Sequence, residues 1–201
     1  MKSLIKMKRF SIYILLLFSL GIVTSDLSAQ YFGRNKVMYE NFDFQVMKTE
    51  HFDIYFYSEM KEAALHAARM AERWYERLAR MFNYDLRGRQ PLILYSSSPH
   101  FQQTSVIPQA IGEGVGGVTE AIKRRIILPM GPSLKDSDHV IGHELVHAFQ
   151  YDISAKSNTS FGRITSPTQQ LPLWLIEGLA EYLSIGPQDA HTAMWMRDSI
   201  R

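Results

Sequence analysis

Two histidines and a glutamate at residues 143–147 have the residue types and spacing best suited to chemistry. The stretch reads H-E-L-V-H, with His143 and His147 four residues apart and Glu144 directly after the first histidine. Residues four apart lie on the same face of an α-helix, so the two imidazoles can bind one Zn²⁺ ion together. Glu144 lies about 100° further around the helix. This position predicts that it flanks the metal and takes a proton from a zinc-bound water as general base.

The flanking residues predict that this pattern lies on a helix. Apolar residues recur around it at helical spacing, and the acidic stretch 136–138 predicts a helix start there. Imidazoles and a carboxylate on a buried helix would cost free energy if they had nothing to bind. The alternative is a solvated helix face on which the histidines are coincidental. His139, one turn before His143, is interpreted as a structural residue rather than a ligand.

A second acidic motif follows at residues 174–182, which read W-L-I-E-G-L-A-E-Y. A catalytic zinc site needs a third protein ligand and one open position. Glu177 is the predicted third ligand, because the helix face that it shares with Trp174 and Ala180 is otherwise apolar. Glu181, one turn later, is predicted to accept the free N–H of a ligating histidine. For both glutamates, the alternative is an exposed acid on the surface of an amphipathic helix.

Together, the two motifs resemble those of the gluzincins, metallopeptidases whose third zinc ligand is a glutamate on a second helix. The second motif is similar to W-L-x-E-G-x-A-x-Y of the alanyl-type aminopeptidases, in which Glu177 matches the ligand. Glu181 matches an acid that orients a zinc-bound histidine in thermolysin-like members. The likeness extends to the peptidase MA-like domains of secreted bacterial proteins, some of which continue into β-propeller repeats. It covers about residues 31–186. The sequence departs from the aminopeptidases at Ile176, where they usually have Asn, and relatives carry further domains beyond the position of Arg201.

The resemblance implies an α+β fold of zincin type. Its small mixed sheet would place an edge strand over the helix of residues 143–147, and a second helix would carry Glu177. In gluzincins this edge strand holds extended substrate by strand addition. The predicted strand 118–122 is the preferred candidate, with Val118, Thr119 and Glu120 as contact residues and residues 123–125 as a turn or gate. An ordinary edge hairpin is the alternative.

For two roles in the site, the sequence offers two candidate residues each. Tyr182 and Tyr151 are both candidates for the donor that stabilises the oxyanion, and a donor beyond Arg201 in a longer form is the alternative. Glu120 and Glu113 are both candidates for binding a substrate amine in an exopeptidase. Residues 151–170 are polar and predict a long loop between the two zinc helices, and such loops often line a cleft.

Earlier in the chain, alternating aromatic and β-branched residues predict a hairpin of strands 42–48 and 51–57. A helix is predicted from Ser58 to about Asn83, followed by a strand at 92–95. Four glycines in residues 111–117 predict a sharply turning loop before the two strands at 118–122 and 126–128.

Residues 1–29 have the composition of a secretory signal peptide, with a basic start, fourteen mostly apolar residues from Phe10 to Val23, and a small-residue cleavage site before Gln30. We therefore expect an exported protein that is periplasmic, outer-envelope-associated or extracellular. An uncleaved membrane anchor is the alternative. Residues 30–201 carry 18 basic and 19 acidic residues, a balance of −1. They have no basic stripe interleaved with aromatic residues, which excludes nucleic acid as the expected partner. The chain has no cysteine, so disulfides and cysteine-based zinc sites are excluded.

The sequence thus predicts a secreted zinc-dependent peptidase whose single Zn²⁺ is bound by His143, His147 and Glu177 and whose substrate is a peptide or protein. One alternative is a weakly active or inactive zincin fold that serves as a binding or adaptor module of a larger envelope protein. Another is a zinc hydrolase acting on a non-peptide amide. Residues 30–201 are interpreted as one domain, and truncation at its C-terminal side stays open.

Overall fold

The computed structural model describes residues 36–108, 110–157 and 171–200. The predicted signal segment 1–29 and residues 158–170 of the predicted loop lie outside the described residues. The described chain combines helices with a five-stranded sheet, which confirms the predicted α+β class. Within the described ranges, no helix is both long enough and apolar enough to cross a bilayer.

The sheet is mixed and has the strand order β1-β2-β3-β5-β4. Its three central strands β2, β3 and β5 are parallel, while β1 and β4 form antiparallel edges. Alternate residues of β2 and β3 are fully buried, which gives the sheet one face in the core. The strands are β1 (Phe44–Lys48), β2 (Phe52–Tyr57), β3 (Gln90–Tyr95), β4 (Val118–Glu120) and β5 (Arg125–Pro129).

The edge strand β4 is shorter than the sequence predicts. The expectation of a strand to Ile122 and a turn at 123–125 is wrong, because residues 121–124 form the turn and Arg125 already belongs to β5. The Glu120 carboxylate closes this turn by accepting the main-chain N–H of Ile122 at 2.8 Å and of Lys123 at 3.1 Å.

Five α-helices accompany the sheet in the described part of the chain. A short 3-10 turn, Ser58–Met60, precedes the first, so Ser58 is not its cap. The last helix follows the gluzincin-like region and was not predicted. Asp189 caps it by accepting the main-chain N–H of Thr192 at 2.8 Å. The helices are α1 (Lys61–Phe82), α2 (Ser98–Gln102), α3 (Leu134–Ser157), α4 (Leu173–Ile185) and α5 (Ala190–Ser199).

Helix α3, which carries the H-E-x-x-H pattern, is longer at both ends than predicted. Its start is not at 136–138, because the Ser133 hydroxyl accepts the main-chain N–H of Asp136 at 3.1 Å and so caps the helix earlier. Its described part extends to Ser157, so the prediction of a loop from Tyr151 onward is wrong for residues 151–157.

A close contact between α1 and α3 sets the position of the pattern. A Cβ added at Gly142 would lie 2.6 Å from the ring of Trp74, so only glycine permits this approach. The Trp74 indole N–H also donates to Asp138 at 3.2 Å. On the side of α3 that packs into the core, Leu145 and Phe149 are fully buried. The residue before His143 is therefore fixed against α1.

A buried carboxylate, Asp152, anchors the C-terminal part of α3. Its oxygens lie 2.6 Å from the Arg87 guanidinium and 3.2 Å from that of Arg124, and Tyr84 donates to it at 3.0 Å. Burial opposes the ionised form, yet the hydrogen bonds from Arg87 and Tyr84 and the charge of Arg124 hold the pKa of Asp152 below its ordinary value. Because Arg124 belongs to the turn after β4, this cluster joins α3 to the edge hairpin.

Replacing Asp152 with Asn should lower the free energy of unfolding by roughly 3 kcal/mol at neutral pH, because it leaves two guanidinium groups without their shared carboxylate. A carboxyl whose folded pKa is depressed stabilises the fold above its ordinary pKa near 4 and loses this contribution as the pH falls through the folded value. Urea unfolding between pH 2 and 7 measures both effects. Asp85→Asn, an exposed acid nearby, is the control and should change little. Equal stability of Asp152→Asn and wild type would contradict the anchoring role.

Candidate metal centre

Helices α3 and α4 pack against each other and bring three predicted ligands together. The Nε2 atoms of His143 and His147 lie 3.1 Å apart. Oε2 of Glu177 lies 3.4 Å from each of these nitrogens. The three side chains are thus close enough to bind a single metal ion.

The size of this triangle fits a small tetrahedral ion. Zinc bonds of about 2.0–2.1 Å to nitrogen and oxygen imply ligand-to-ligand distances of about 3.3 Å in a tetrahedron. The three measured distances, 3.1, 3.4 and 3.4 Å, are close to this value. Three ligands occupy one face of such a tetrahedron and leave the fourth position open.

The surroundings favour the metal-binding form of the histidines. Burial, together with the neighbouring His147, lowers the pKa of His143 and favours the neutral imidazole that binds metal. Glu177 is less buried than the two histidines, because its side chain is 49% exposed. The face that Glu177 shares with Trp174 is not buried, since Trp174 is 73% exposed. In α4 only Ile176 and Ala180 are buried, so Glu177 lies at the margin of the helix interface.

Glu181 lies beside the first histidine, as the sequence predicts for an orienting acid. Its Oε1 is 3.5 Å from Nδ1 of His143, and its Oε2 is 3.0 Å from Nε2 of His139. His139, His143 and Glu181 therefore form a second group that is close enough to bind a metal. Occupying both groups would require His143 to lose both ring protons. One ion at the first group would leave Nδ1 of His143 protonated, 3.5 Å from the Glu181 carboxylate.

Gln150 supports the second histidine, and sequence reasoning missed it. Nδ1 of His147 lies 2.9 Å from the Gln150 side-chain oxygen, which can accept the ring N–H. The Gln150 amide in turn donates to the main-chain oxygen of Ile176 at 3.1 Å. One side chain thus links a histidine on α3 to the residue before Glu177 on α4. The sequence does place Gln150 three residues after His147, but a polar residue at this spacing is common on any helix.

Glu144 lies beside the three ligands and is 5% exposed. The Thr119 hydroxyl on β4 donates to its Oε2 at 2.7 Å. Burial raises the pKa of Glu144 to about 7, although the hydrogen bond from Thr119 and the nearby His147 act in the opposite direction. A carboxyl group with such a pKa can both take up and release a proton near neutral pH.

A cavity of about 460 Å³ opens over these groups. Tyr151 lines it, and its ring stacks on that of His147 with 6.2 Å between centroids. Burial raises the pKa of Tyr151, which keeps its hydroxyl protonated and able to donate. Tyr182 is 55% exposed and does not line the cavity, so of the two candidate donors only Tyr151 is near the site. The other lining residues are Gly114, Gly116, Gly117, Val118, Thr119, His139, Val140, His143, Glu144, His147, Glu177 and Glu181.

The two candidates for binding a substrate amine are both outside this cavity. Glu120 is held by the turn after β4 and by Arg125, whose Nε lies 3.1 Å from its carboxylate. Glu113 is exposed in the glycine-rich loop and is not a lining residue.

Comparison with known protein families finds no family model that matches this chain, and comparison with curated proteins finds no match either. The site is therefore interpreted from its own geometry.

The metal affinities of single variants should distinguish the residues that bind the metal directly from the residues that orient those ligands. We expect one divalent ion per chain, with His147→Ala and Glu177→Gln each weakening the affinity more than 100-fold because a direct ligand is lost. Glu181→Gln and Gln150→Leu should weaken it by about 10- to 100-fold, as removal of outer hydrogen-bond partners does. Competition with a chromophoric chelator measures these constants, with zinc as the test ion. Glu144→Gln is the control and should bind as wild type does. Unchanged affinity in Glu177→Gln would remove Glu177 from the ligand set.

Proposed function

We propose that this protein is a zinc-dependent metallopeptidase with a zincin-like fold of gluzincin type. Two imidazoles and one carboxylate form the donor set typical of catalytic zinc sites with a single open position. The sequence of residues 1–29 supports export, so the activity is assigned to the periplasm, the outer envelope or the extracellular space.

One observation carries the proposal: a buried carboxylate with a raised pKa lies next to a ligand triangle of tetrahedral size. Glu144 points into the same cavity as the three ligands but is held by Thr119 rather than by them. A purely structural metal site has no need of an additional buried acid, whose desolvation costs free energy. A hydrolytic site needs such a group as general base.

Each residue of the site then has a role in peptide hydrolysis. His143, His147 and Glu177 would bind the metal, which supplies Lewis acidity that acidifies water and polarises a carbonyl. Glu144 takes a proton from the attacking water and returns it to the leaving amine. Tyr151, with its protonated hydroxyl on the cavity wall, is the better placed donor to the carbonyl oxygen that becomes negative.

The edge position of β4 supports a peptide as the substrate. β4 pairs only with β5 in the described part of the chain, so its other edge is available to an extended segment. Val118 and Thr119 of β4 line the cavity beside Glu144. An extended peptide paired with β4 would therefore pass over the ligands, which favours a peptide over an unrelated amide.

The carboxylates around the cavity favour cleavage within a chain rather than at its amino end. An aminopeptidase needs a free acid that binds the substrate amine, but Glu120 is already engaged. Outside the described residues and the predicted signal segment 1–29, positions 30–35, 109, 158–170 and 201 contain no Asp or Glu. The acids that line the cavity are Glu144, Glu177 and Glu181, and all three have other roles in this account.

A binding or adaptor module is the second candidate function, and the surface of α4 favours it. Leu173 and Trp174 are 71% and 73% exposed, and Tyr182 is 55% exposed. Large apolar side chains at this exposure are common where another protein binds. Such a module would bind zinc without hydrolysing peptides.

Zinc-loaded protein should hydrolyse unfolded casein and a mixed peptide library. Glu144→Gln should reduce the rate about 10²- to 10⁴-fold, because the base is lost while the metal ligands stay. Mass spectrometry of the products gives the cut sites, and we expect equal cleavage of peptides with free and acetylated amino termini. Glu76→Gln, an exposed acid on α1, is the control for substitution of a glutamate.

Three outcomes would contradict parts of this proposal. Full activity in Glu144→Gln would exclude Glu144 as the base. Strict dependence on a free amino terminus would overturn cleavage within the chain. A wild-type protein that binds one zinc ion and hydrolyses none of the peptides would favour the adaptor function.

A further inference from the structure

Strand β4 is in direct contact with Glu144. Pairing of a substrate peptide with the edge of β4 would not require this contact. Thr119 is only 8% exposed, so its side chain is not a surface group of the edge strand. Its hydroxyl lies 2.7 Å from Oε2 of Glu144 and 2.9 Å from the main-chain oxygen of the same residue. Both partners of this hydroxyl are therefore atoms of one residue on α3.

Gly117, two residues before Thr119, makes a close steric contact with the side chain of Glu144. A Cβ placed on Gly117 would lie 2.9 Å from Cγ of Glu144 and 3.0 Å from its Oε1. Val140, one turn earlier on α3, would lie 3.1 Å from that Cβ. The backbone of Gly117 thus closes one side of Glu144, while Thr119 holds its Oε2.

We propose that Thr119 is a positioning residue for Glu144: its hydroxyl holds one carboxylate oxygen in place and so directs the other for proton transfer in the cavity. This inference rests on the proposed function, in which Glu144 is the base. A buried carboxylate without a donor would be costly and free to turn, so a single well-placed hydroxyl determines its orientation. Displacement of a reacting group by about 1 Å can reduce a rate about 100-fold.

The hydrogen bond to Oε2 leaves Oε1 as the oxygen for proton transfer. While Glu144 is ionised, the Thr119 O–H donates to Oε2. Once Oε1 has taken the proton of the attacking water, Oε2 is the carbonyl oxygen of the carboxyl group and still accepts the Thr119 O–H. Thr119 Oγ1 also lies 2.9 Å from the Glu144 main-chain oxygen, which keeps the hydroxyl beside this residue. Thr119 therefore holds Oε2 before and after the transfer.

Thr119→Val tests the proposal because it keeps the shape of the side chain and removes the hydroxyl. We expect kcat to fall about 10- to 100-fold, with KM and zinc affinity close to wild type. Thr119→Ser, which keeps the hydroxyl, should restore most of kcat. Thr104→Val, which removes another buried hydroxyl at 1% exposure outside the cavity, is the control and should leave kcat unchanged. Wild-type kcat in Thr119→Val, or a Thr119→Ser as impaired as Thr119→Val, would overturn the proposal.

A second measurement needs neither activity nor metal. Thermal unfolding of metal-free Thr119→Val, Glu144→Leu and the double variant forms a double-mutant cycle. If Thr119 holds Glu144, the two substitutions are non-additive, and Thr119→Val costs less once Glu144 is gone. Should Thr119→Val alone fail to fold, recovery of folding in the double variant supports the contact. Additive effects, or no recovery, would overturn it. Because this cycle is independent of hydrolysis, it distinguishes failure of the Thr119 proposal from failure of the peptidase proposal.

Discussion

The packing of the Trp74 ring against Gly142 is the contact on which the site depends. It holds α3 against α1 at the residue directly before His143, and a side chain at Gly142 would have its Cβ 2.6 Å from that ring. Behind it, Leu145 and Phe149 are buried in the core, where each such side chain contributes about 1.5–3 kcal/mol. The ligand distances differ from tetrahedral values by only tenths of an ångström, so a small shift of α3 would disrupt them.

With α3 fixed in this way, each polar residue of the H-E-x-x-H pattern has a separate partner, two from neighbouring elements and one, Gln150, from α3 itself. β4 supplies the Thr119 hydroxyl to Glu144. α4 supplies the Glu181 carboxylate near His143, and it accepts the amide of Gln150, which binds His147. The proposed base and the proposed metal ligands are thus contacted by different parts of the fold. In the proposed function, the edge strand would orient the group that transfers the proton, while the second helix would contribute to metal binding.

Much of this organisation could be predicted from the sequence, because it lies in helical spacing. The proximity of His143, His147 and Glu177 was predicted from two motifs at helical spacing, and the α+β class was predicted from the resemblance that these motifs carry. The contacts of Thr119 with Glu144 and of Gln150 with Ile176 could not be predicted, since they are set by the approach of separate elements. The exposure of Trp174 was not predicted, because a helical pattern shows which residues share a face but not whether another element covers that face. The start of α3 was missed because the Ser133 cap precedes the apolar pattern.

Locating a bound metal ion tests the proposed ligand set. A crystal of the zinc-loaded protein, measured on both sides of the zinc absorption edge, gives the ion's position from its anomalous signal. We predict one ion with Nε2 of His143, Nε2 of His147 and a Glu177 oxygen at about 2.0–2.1 Å, and with Glu144 outside the coordination shell. An ion bound by His139 and Glu181 instead, or one that Glu144 ligates directly, would contradict it.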